Sequence, residues 1–186
     1  MSPNETSAPR RLRFFLRDHR VLDAYARVPQ GQFLSTYLAS RNRYINLTGV
    51  DWIGTTEKVP HMALKVDKIL WVASQDGDLA LTGGGESAAR RVDVELDGGY
   101  MLSAGLLLVH NQRLSDYLQS APPFVPLRDT ELRPRGQRLG DVVVNQDAIQ
   151  MVRELDAGAD TDPHGDGVAG LASEPEPSSE AAPADA

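Results

Sequence analysis

Side chains that could carry catalysis are few in this 186-residue chain. There is no cysteine, which removes thiol nucleophiles, disulfides and thiolate metal sites. No strand–turn–helix nucleophile elbow surrounds any serine, and no histidines or carboxylates have the spacing of a helical metal site. The four histidines are His19, His61, His110 and His164. The sequence therefore predicts a protein that is not an enzyme and that carries no cofactor and no metal.

One acidic stretch near the C-terminus imitates the start of a calcium loop. Asp160, Asp162 and His164 have the spacing of the first ligands, but Leu171 stands where the closing glutamate is needed. Residues 156–186 hold eight of the 26 acidic residues and none of the 19 lysines and arginines. Such a segment buries too little apolar surface to offset the entropy of ordering. We expect a disordered acidic tail over 156–186 and a disordered arm over 1–9.

The body of the chain is a tandem repeat. Residues 14–72 align with residues 94–152 at a constant offset of eighty, and thirteen of the fifty-nine pairs are identical. The clearest match sets FLSTYL at 33–38 against RLSDYL at 113–118. Most matched pairs are apolar, so the duplication preserves a core. We expect repeat 1 over 10–74 and repeat 2 over 91–155, joined by a Gly-rich linker over 75–90.

Each repeat has the pattern of five short strands and one short helix. Leu34, Tyr37 and Leu38 share one face of the helix, and their counterparts eighty residues on repeat it. The dipeptide Asp97-Gly98 predicts a hairpin between the first two strands of repeat 2. Five strands in about sixty residues are typical of a small barrel. The predicted fold is mainly β, with two tandem five-stranded barrels that each carry one helix.

The segment YINLTGV at 44–50, followed by ALKVDKI at 63–69, resembles the two signature segments of the Sm-like (LSm/Hfq-type) small barrel. The resemblance implies an SH3-like barrel and places Asn46 where that family has a base-contacting asparagine. Repeat 2 has Pro126 there, and Asp67 and Asp147 stand where the family's RNA binders have a cation or glycine. The phrase RLSDYL…FVPLRDTEL…VVVNQDAI is also similar to an uncharacterised family of short bacterial β-rich domains. That second resemblance supports the domain boundaries and implies no function.

The two repeats differ in charge and in large aromatic residues. Residues 10–73 carry a net charge of +6, whereas residues 90–155 carry −1. Trp71, within the apolar run ILWVA, is predicted to be core, while for Trp52 both a core position and a partner anchor remain open. An Arg-rich entry suits an acidic protein or the anionic face of a membrane assembly. The partner-binding candidates are Arg10, Arg11, Arg13, Arg17, Arg20 and Trp52.

These features favour a non-catalytic interaction or assembly subunit, with two barrels docking on a larger protein complex. A photosynthetic or respiratory complex is a concrete version, and the chain would then lie in the cytoplasm, peripheral to the inner membrane. No export leader opens the sequence, and the longest apolar stretch is too short to span a membrane. The alternative is an Sm-like RNA- or nucleic-acid-binding protein that uses the basic face of repeat 1. Its candidate residues are Asn46, Arg41, Arg43 and Tyr44. The sequence leaves the oligomeric state open.

Overall fold

A computed structural model of the chain describes residues 7–75, 87–109 and 112–155. Within these residues the fold is mainly β, as predicted, with ten strands and two short α-helices. The expected acidic tail over 156–186 lies outside the described residues, and so do residues 1–6 of the expected arm and 76–86 of the expected linker. Strand extends into both flanks, because the first strand begins at Ser7 and the sixth at Ser87.

Repeat 1 folds into five strands and one helix in the predicted order. Gly31, with a φ of 78°, supplies the left-handed residue that the turn before the helix requires. The helix ends at Ala39, and Ser40 caps it through a hydroxyl that donates to the carbonyl oxygen of Tyr37 at 2.7 Å. The elements are β1 (Ser7–Leu16), β2 (Val21–Pro29), α1 (Leu34–Ala39), β3 (Tyr44–Trp52), β4 (Lys58–Lys65) and β5 (Ile69–Ser74).

Repeat 2 follows the same plan, and β6 covers the residues that lie eighty positions after β1. The predicted Asp97-Gly98 hairpin is present, with φ of 80° at Gly98 and 77° at Gly99. The helix stops before Pro122 and Pro123, which disfavour helical conformation at and before their positions. The elements are β6 (Ser87–Leu96), β7 (Tyr100–Val109), α2 (Leu114–Ser120), β8 (Phe124–Arg133), β9 (Gln137–Asn145) and β10 (Ile149–Glu154).

All ten strands belong to one antiparallel sheet, in the order β10-β6-β7-β8-β9-β5-β1-β2-β3-β4. The expected arrangement of two separate barrels is not confirmed, because the sheet runs through both repeats and is not closed. The repeats join where β5 of repeat 1 pairs with β9 of repeat 2, with Trp71 opposite Val144 and Ala73 opposite Val142. The strands of both repeats thus share one hydrogen-bonded sheet.

Two hydrophobic clusters form the core, and each draws side chains from both repeats. The first surrounds Phe14, Leu38 and Leu47 of repeat 1, and it also contains Phe124 and Val143 of repeat 2. The second is built on repeat 2 and contains Leu70, Trp71 and Ala73 of β5. Trp71 is fully buried, as predicted, and stacks on Phe15 with ring centroids 4.3 Å apart. Each repeat therefore completes the other's core.

Candidate interaction surface

Four residues of repeat 2 form the surface that meets repeat 1, and we call them the junction face: Phe124, Pro126, Val143 and Asn145. They lie on paired positions of β8 and β9, with Phe124 opposite Asn145 and Pro126 opposite Val143. All four are buried. Their neighbours Val125, Leu127, Val142 and Val144 belong to the other core cluster, on the opposite side of these strands. The alternation of a strand thus sends one set of side chains into each core.

The counterparts of the junction face in repeat 1 are exposed. They are Tyr44, Asn46, Ala63 and Lys65, which we call the open face. Tyr44 pairs with Lys65 and Asn46 with Ala63, so the arrangement on β3 and β4 matches that on β8 and β9. Tyr44 is 53% exposed, whereas its counterpart Phe124 is 1% exposed. One surface of the repeat is therefore covered by protein in repeat 2 and uncovered in repeat 1.

The equivalent strands β5 and β10 also differ in burial, but here the strand of repeat 1 is the buried one. Ile69 to Ala73 of β5 are all buried, because β9 lies against their strand. In β10, the equivalent strand of repeat 2, Gln150, Met151 and Arg153 are exposed. Met151 is 44% exposed, while Trp71 at the equivalent position is fully buried. Among the described residues, β4 and β10 pair on one side only and so form the two free edges of the sheet.

The helix of repeat 1 is likewise more buried than the helix of repeat 2. Helix α1 packs against β8 of the other repeat, and its Tyr37 and Leu38 are 3% and 0% exposed. Burial raises the pKa of the Tyr37 phenol. In α2 the counterparts Tyr117 and Leu118 are only half-buried. Among the described residues, no strand packs on α2 as β8 packs on α1, so α2 presents a partly apolar side.

Most of the predicted partner-binding arginines are engaged within the chain. Arg13 donates to both carboxylate oxygens of the buried Asp23, at 2.7 and 2.8 Å, and this hydrogen bonding raises the pKa of Arg13. Arg17 forms an ion pair with Asp97 of repeat 2 and donates through Nε to a backbone oxygen at 2.7 Å. Arg11 lies 3.6 Å from the Asp23 carboxylate, and Arg10 at the start of β1 is half-buried. Arg13 and Arg17 therefore have structural roles.

Arg20 and Trp52 form a separate surface pair. The guanidinium of Arg20 lies 4.4 Å from the centre of the Trp52 ring, in cation–π geometry. Arg20 also donates to Asp18, and this hydrogen bond lowers the pKa of the Asp18 carboxyl. Trp52 is half-buried and packs against the core of repeat 1, so one part of the ring is structural. The structure brings these two candidates together, apart from the open face.

The predicted nucleic-acid candidates lie at one end of β3. Tyr44 and Asn46 belong to the open face, and Arg43 is exposed immediately before them. Arg41 is exposed and its guanidinium lies 4.5 Å from the centre of the Tyr37 ring. The structure thus groups these residues, and it adds Ala63 and Lys65, which sequence reasoning missed. A comparison of the two repeats could have found them, because Ala63 and Lys65 align with different residues, Val143 and Asn145, in repeat 2.

The described histidines lie apart from one another. His19 has a φ of 66° in the β1–β2 turn, and its Nδ1 lies 2.8 Å from the hydroxyl of Tyr100 in repeat 2. His61 is exposed on β4. His110, His164 and the calcium-loop imitation at Asp160 and Asp162 lie outside the described residues. Within the described part of the chain, no three metal-ligating side chains come together, and no helix has the length and apolarity to cross a membrane.

Comparison with known proteins gives no relative, since no family model, no curated protein and no solved structure matches the chain. The class of protein is therefore defined by its own architecture: a duplicated, mainly β chain whose repeats share one open sheet. The likeness to Sm-like barrels stays a resemblance of strand pattern.

Proposed function

We propose that this protein is a non-catalytic assembly subunit that docks on a larger protein complex through the free edges of its sheet. The observation that carries the proposal is the open face. It is the counterpart of a surface that another part of the same chain buries, so the fold already uses this position for a protein contact. A solvent-exposed tyrosine and alanine replace the buried phenylalanine and valine at these positions.

Free strand edges give a physical reason for docking. A terminal strand presents unpaired backbone N–H and C=O groups, which a strand of a partner can complete. Tyrosine suits such a surface because its ring is apolar while its hydroxyl remains hydrated in the unbound chain. Lys65 on the open face and Lys58 at the start of β4 protect the edge from indiscriminate pairing. The edge is therefore selective for a partner that accommodates these charges.

Charge favours an acidic partner for repeat 1, and a membrane-associated complex is one version of the proposal. The proposal leaves out Arg13 and Arg17, because both are held within the chain. Arg20, with a side chain 62% exposed, and the Trp52 ring beside it remain a docking element in addition to the open face. An interface that joins a cation and an aromatic ring in this way is well suited to a carboxylate-bearing surface.

Affinity capture of the full chain from a native, detergent-solubilised lysate tests this function. We expect a stoichiometric partner to be recovered with the wild-type chain and with Ile53→Asp, which alters an exposed hydrophobic residue outside the open face. Ala63→Asp places a charge in the centre of the open face and should abolish recovery. The proposal fails if no stoichiometric partner is recovered with wild type, or if Ala63→Asp recovers it equally well.

Nucleic-acid binding is the second candidate, supported by the clustering of Arg41, Arg43, Tyr44 and Asn46 at one end of β3. Cations beside an exposed aromatic ring can contact phosphates and stack a base. Filter binding of mixed single-stranded RNA at low salt tests it, and we expect Tyr44→Ala to reduce retention while Arg135→Ala, in the β8–β9 turn, does not. Absence of retention at micromolar protein rules this candidate out.

A further inference from the structure

We propose that the partner of the free edges is a second copy of this chain, and that chains associate head to tail with β4 of one pairing with β10 of the next. This inference rests on the proposed function and names the occupant of its docking surface. The chain already contains one example of the contact, the pairing of β9 with β5. The strands equivalent to β9 and β5 are β4 and β10, and these are the two edge strands of the sheet.

The internal junction specifies the register of the proposed contact. Within the chain, Trp71, Val72 and Ala73 lie opposite Val144, Val143 and Val142. Shifting each strand by the repeat offset of eighty places Met151 opposite Leu64, Val152 opposite Ala63 and Arg153 opposite Met62 of the next chain. The paired stretch excludes Pro60, which lacks the N–H that a ladder hydrogen bond needs. The backbone of both edges is therefore competent to pair where the register requires it.

Side-chain burial supports the same contact. At the internal junction, Phe124 and Val143 enter the core of the other repeat. Their counterparts Tyr44 and Ala63 are exposed, and so is Met151, the counterpart of the buried Trp71. Tyr44 and Met151 are two of the five large hydrophobic residues that are exposed in the described part of the chain. The edges thus carry exposed apolar side chains at the positions that the junction buries.

Helix α2 extends the contact beyond the strands. Because α1 packs against β8, the repeat relationship places α2 against β3 of the next chain. That contact would cover Tyr117 and Leu118, which are half-buried, as Tyr37 and Leu38 are covered in repeat 1. The open face lies on β3 and β4, so strand pairing and helix packing engage one continuous surface.

Charges along the two edges are compatible with this register. Continuing it by one residue on either side sets Gln150 opposite Lys65 and Glu154 opposite His61, so no like charges face each other. At the internal junction the side-chain amide of Asn145 donates to the carbonyl oxygen of Ile69 at 3.0 Å. Lys65 occupies the position of Asn145, and its ammonium, which pairs with Asp67 within the chain, is also a hydrogen-bond donor. A residue with donor groups thus stands at this position in both repeats.

The contact is heterologous, since each chain contributes a different edge. Repetition of one such step produces a closed ring or a filament, depending on the rotation between successive units. Two chains joined by one such contact still have one free edge of each kind, at which further chains can add. This property separates the proposal from symmetric dimers made by pairing of two β4 or two β10 strands.

Size-exclusion chromatography with light scattering, applied to the full chain at about 10–100 µM, tests the proposal. We expect wild type and the control Ile53→Asp to have a mass of three or more times the 20.2 kDa chain. Ala63→Asp blocks the open face and Met151→Asp blocks β10, and each should run as a monomer. An equimolar mixture of the two blocked variants should form a dimer, because each retains the edge that the other lacks. Circular dichroism confirms that all variants are folded.

A monomeric wild-type chain across this range overturns the inference, as does a mixture of folded blocked variants that stays monomeric. Retention of the wild-type mass by both single variants also overturns it. These results are distinguishable from failure of the proposed function. If the wild-type chain is a monomer and captures a partner that Ala63→Asp does not recover, the docking function stands and the partner is a different protein. If Ala63→Asp captures the same partner as wild type, the docking function itself fails.

Discussion

Asn145 donates a hydrogen bond from its side-chain amide to the carbonyl oxygen of Ile69, at 3.0 Å, across the boundary between the two repeats. The same side chain accepts a hydrogen bond from the backbone N–H of Asp147 at 3.1 Å, and Asn145 is 4% exposed. One buried amide therefore fixes both the pairing of β9 with β5 and the 3-10 turn that follows β9.

Asn145→Ala should lower the free energy of unfolding by about 1–3 kcal/mol, because it leaves a buried carbonyl and an N–H without their partner. The repeat supplies a matched control in Lys65→Ala, at the equivalent and exposed position. The ion pair of Lys65 with Asp67 is on the surface, so this change should cost less than about 1 kcal/mol. Urea denaturation of dilute protein measures both, and equal losses would contradict the assigned role of Asn145.

Trp71 and Met151 form a second matched pair. Trp71→Ala should destabilise the chain by about 3–5 kcal/mol, because it empties a fully buried site between Phe15 and Tyr100. Met151→Ala removes a side chain that is 44% exposed and should cost less than about 1 kcal/mol in dilute protein. Thermal unfolding monitored by circular dichroism compares the two. A comparable loss for Met151→Ala in a monomeric sample would show that β10 is already covered.

Arg13 should matter for stability and Arg20 should not. Arg13→Ala removes two hydrogen bonds from a carboxylate that is 4% exposed, so we expect a loss of about 2 kcal/mol. Arg20→Ala breaks an exposed pair with Asp18 and should change stability by no more than about 0.5 kcal/mol. Chemical denaturation at neutral pH provides the measurement. Stability unchanged by Arg13→Ala would return Arg13 to the set of partner-binding candidates.

Tyr37 and Tyr117 predict a loss of stability at alkaline pH. Burial raises the pKa values of Tyr37 and Tyr117, because it disfavours the phenolate. Between the unfolded pKa of about 10 and the higher folded pKa, the unfolded chain binds fewer protons. The stabilisation is therefore complete below about pH 10 and is lost as the pH rises through the folded pKa values. Tyr37→Phe should flatten this decline in denaturation curves recorded from pH 8 to 12, and an unchanged slope would contradict it.

Sequence reasoning located the repeat and the elements within it because both depend on local patterns. The offset of eighty reappears in β1 and β6, and the five-strand, one-helix order holds in each repeat. Trp71 was correctly placed in the core from the apolar run around it. Pairing between β5 and β9 could not be predicted from either repeat alone, since strand patterns specify faces rather than partners.

A comparison of the repeats does contain a signal for the junction. The run ILWVA at 69–73 is apolar at every position, whereas its counterpart IQMVR at 149–153 is mixed. An uninterrupted apolar strand is typical of burial on both faces, and an edge strand tolerates polar residues. The arginines of β1 and of the turn after it were predicted to bind a partner from charge density alone, which does not reveal that Asp23 engages Arg13 and that Asp97 engages Arg17.

Because Phe124 and Val143 of repeat 2 complete the core of repeat 1, that core stays incomplete while the ribosome synthesises the second repeat. The N-terminal half emerges first, and its β5 strand has no β9 to cover it until about seventy further residues have been added. At typical translation rates of about 5–20 residues per second, this interval lasts several seconds. During that time an apolar strand and an incomplete core face the solvent. Nascent chains of this protein are thus natural clients for chaperones, and fragments that end after repeat 1 are sources of aggregation.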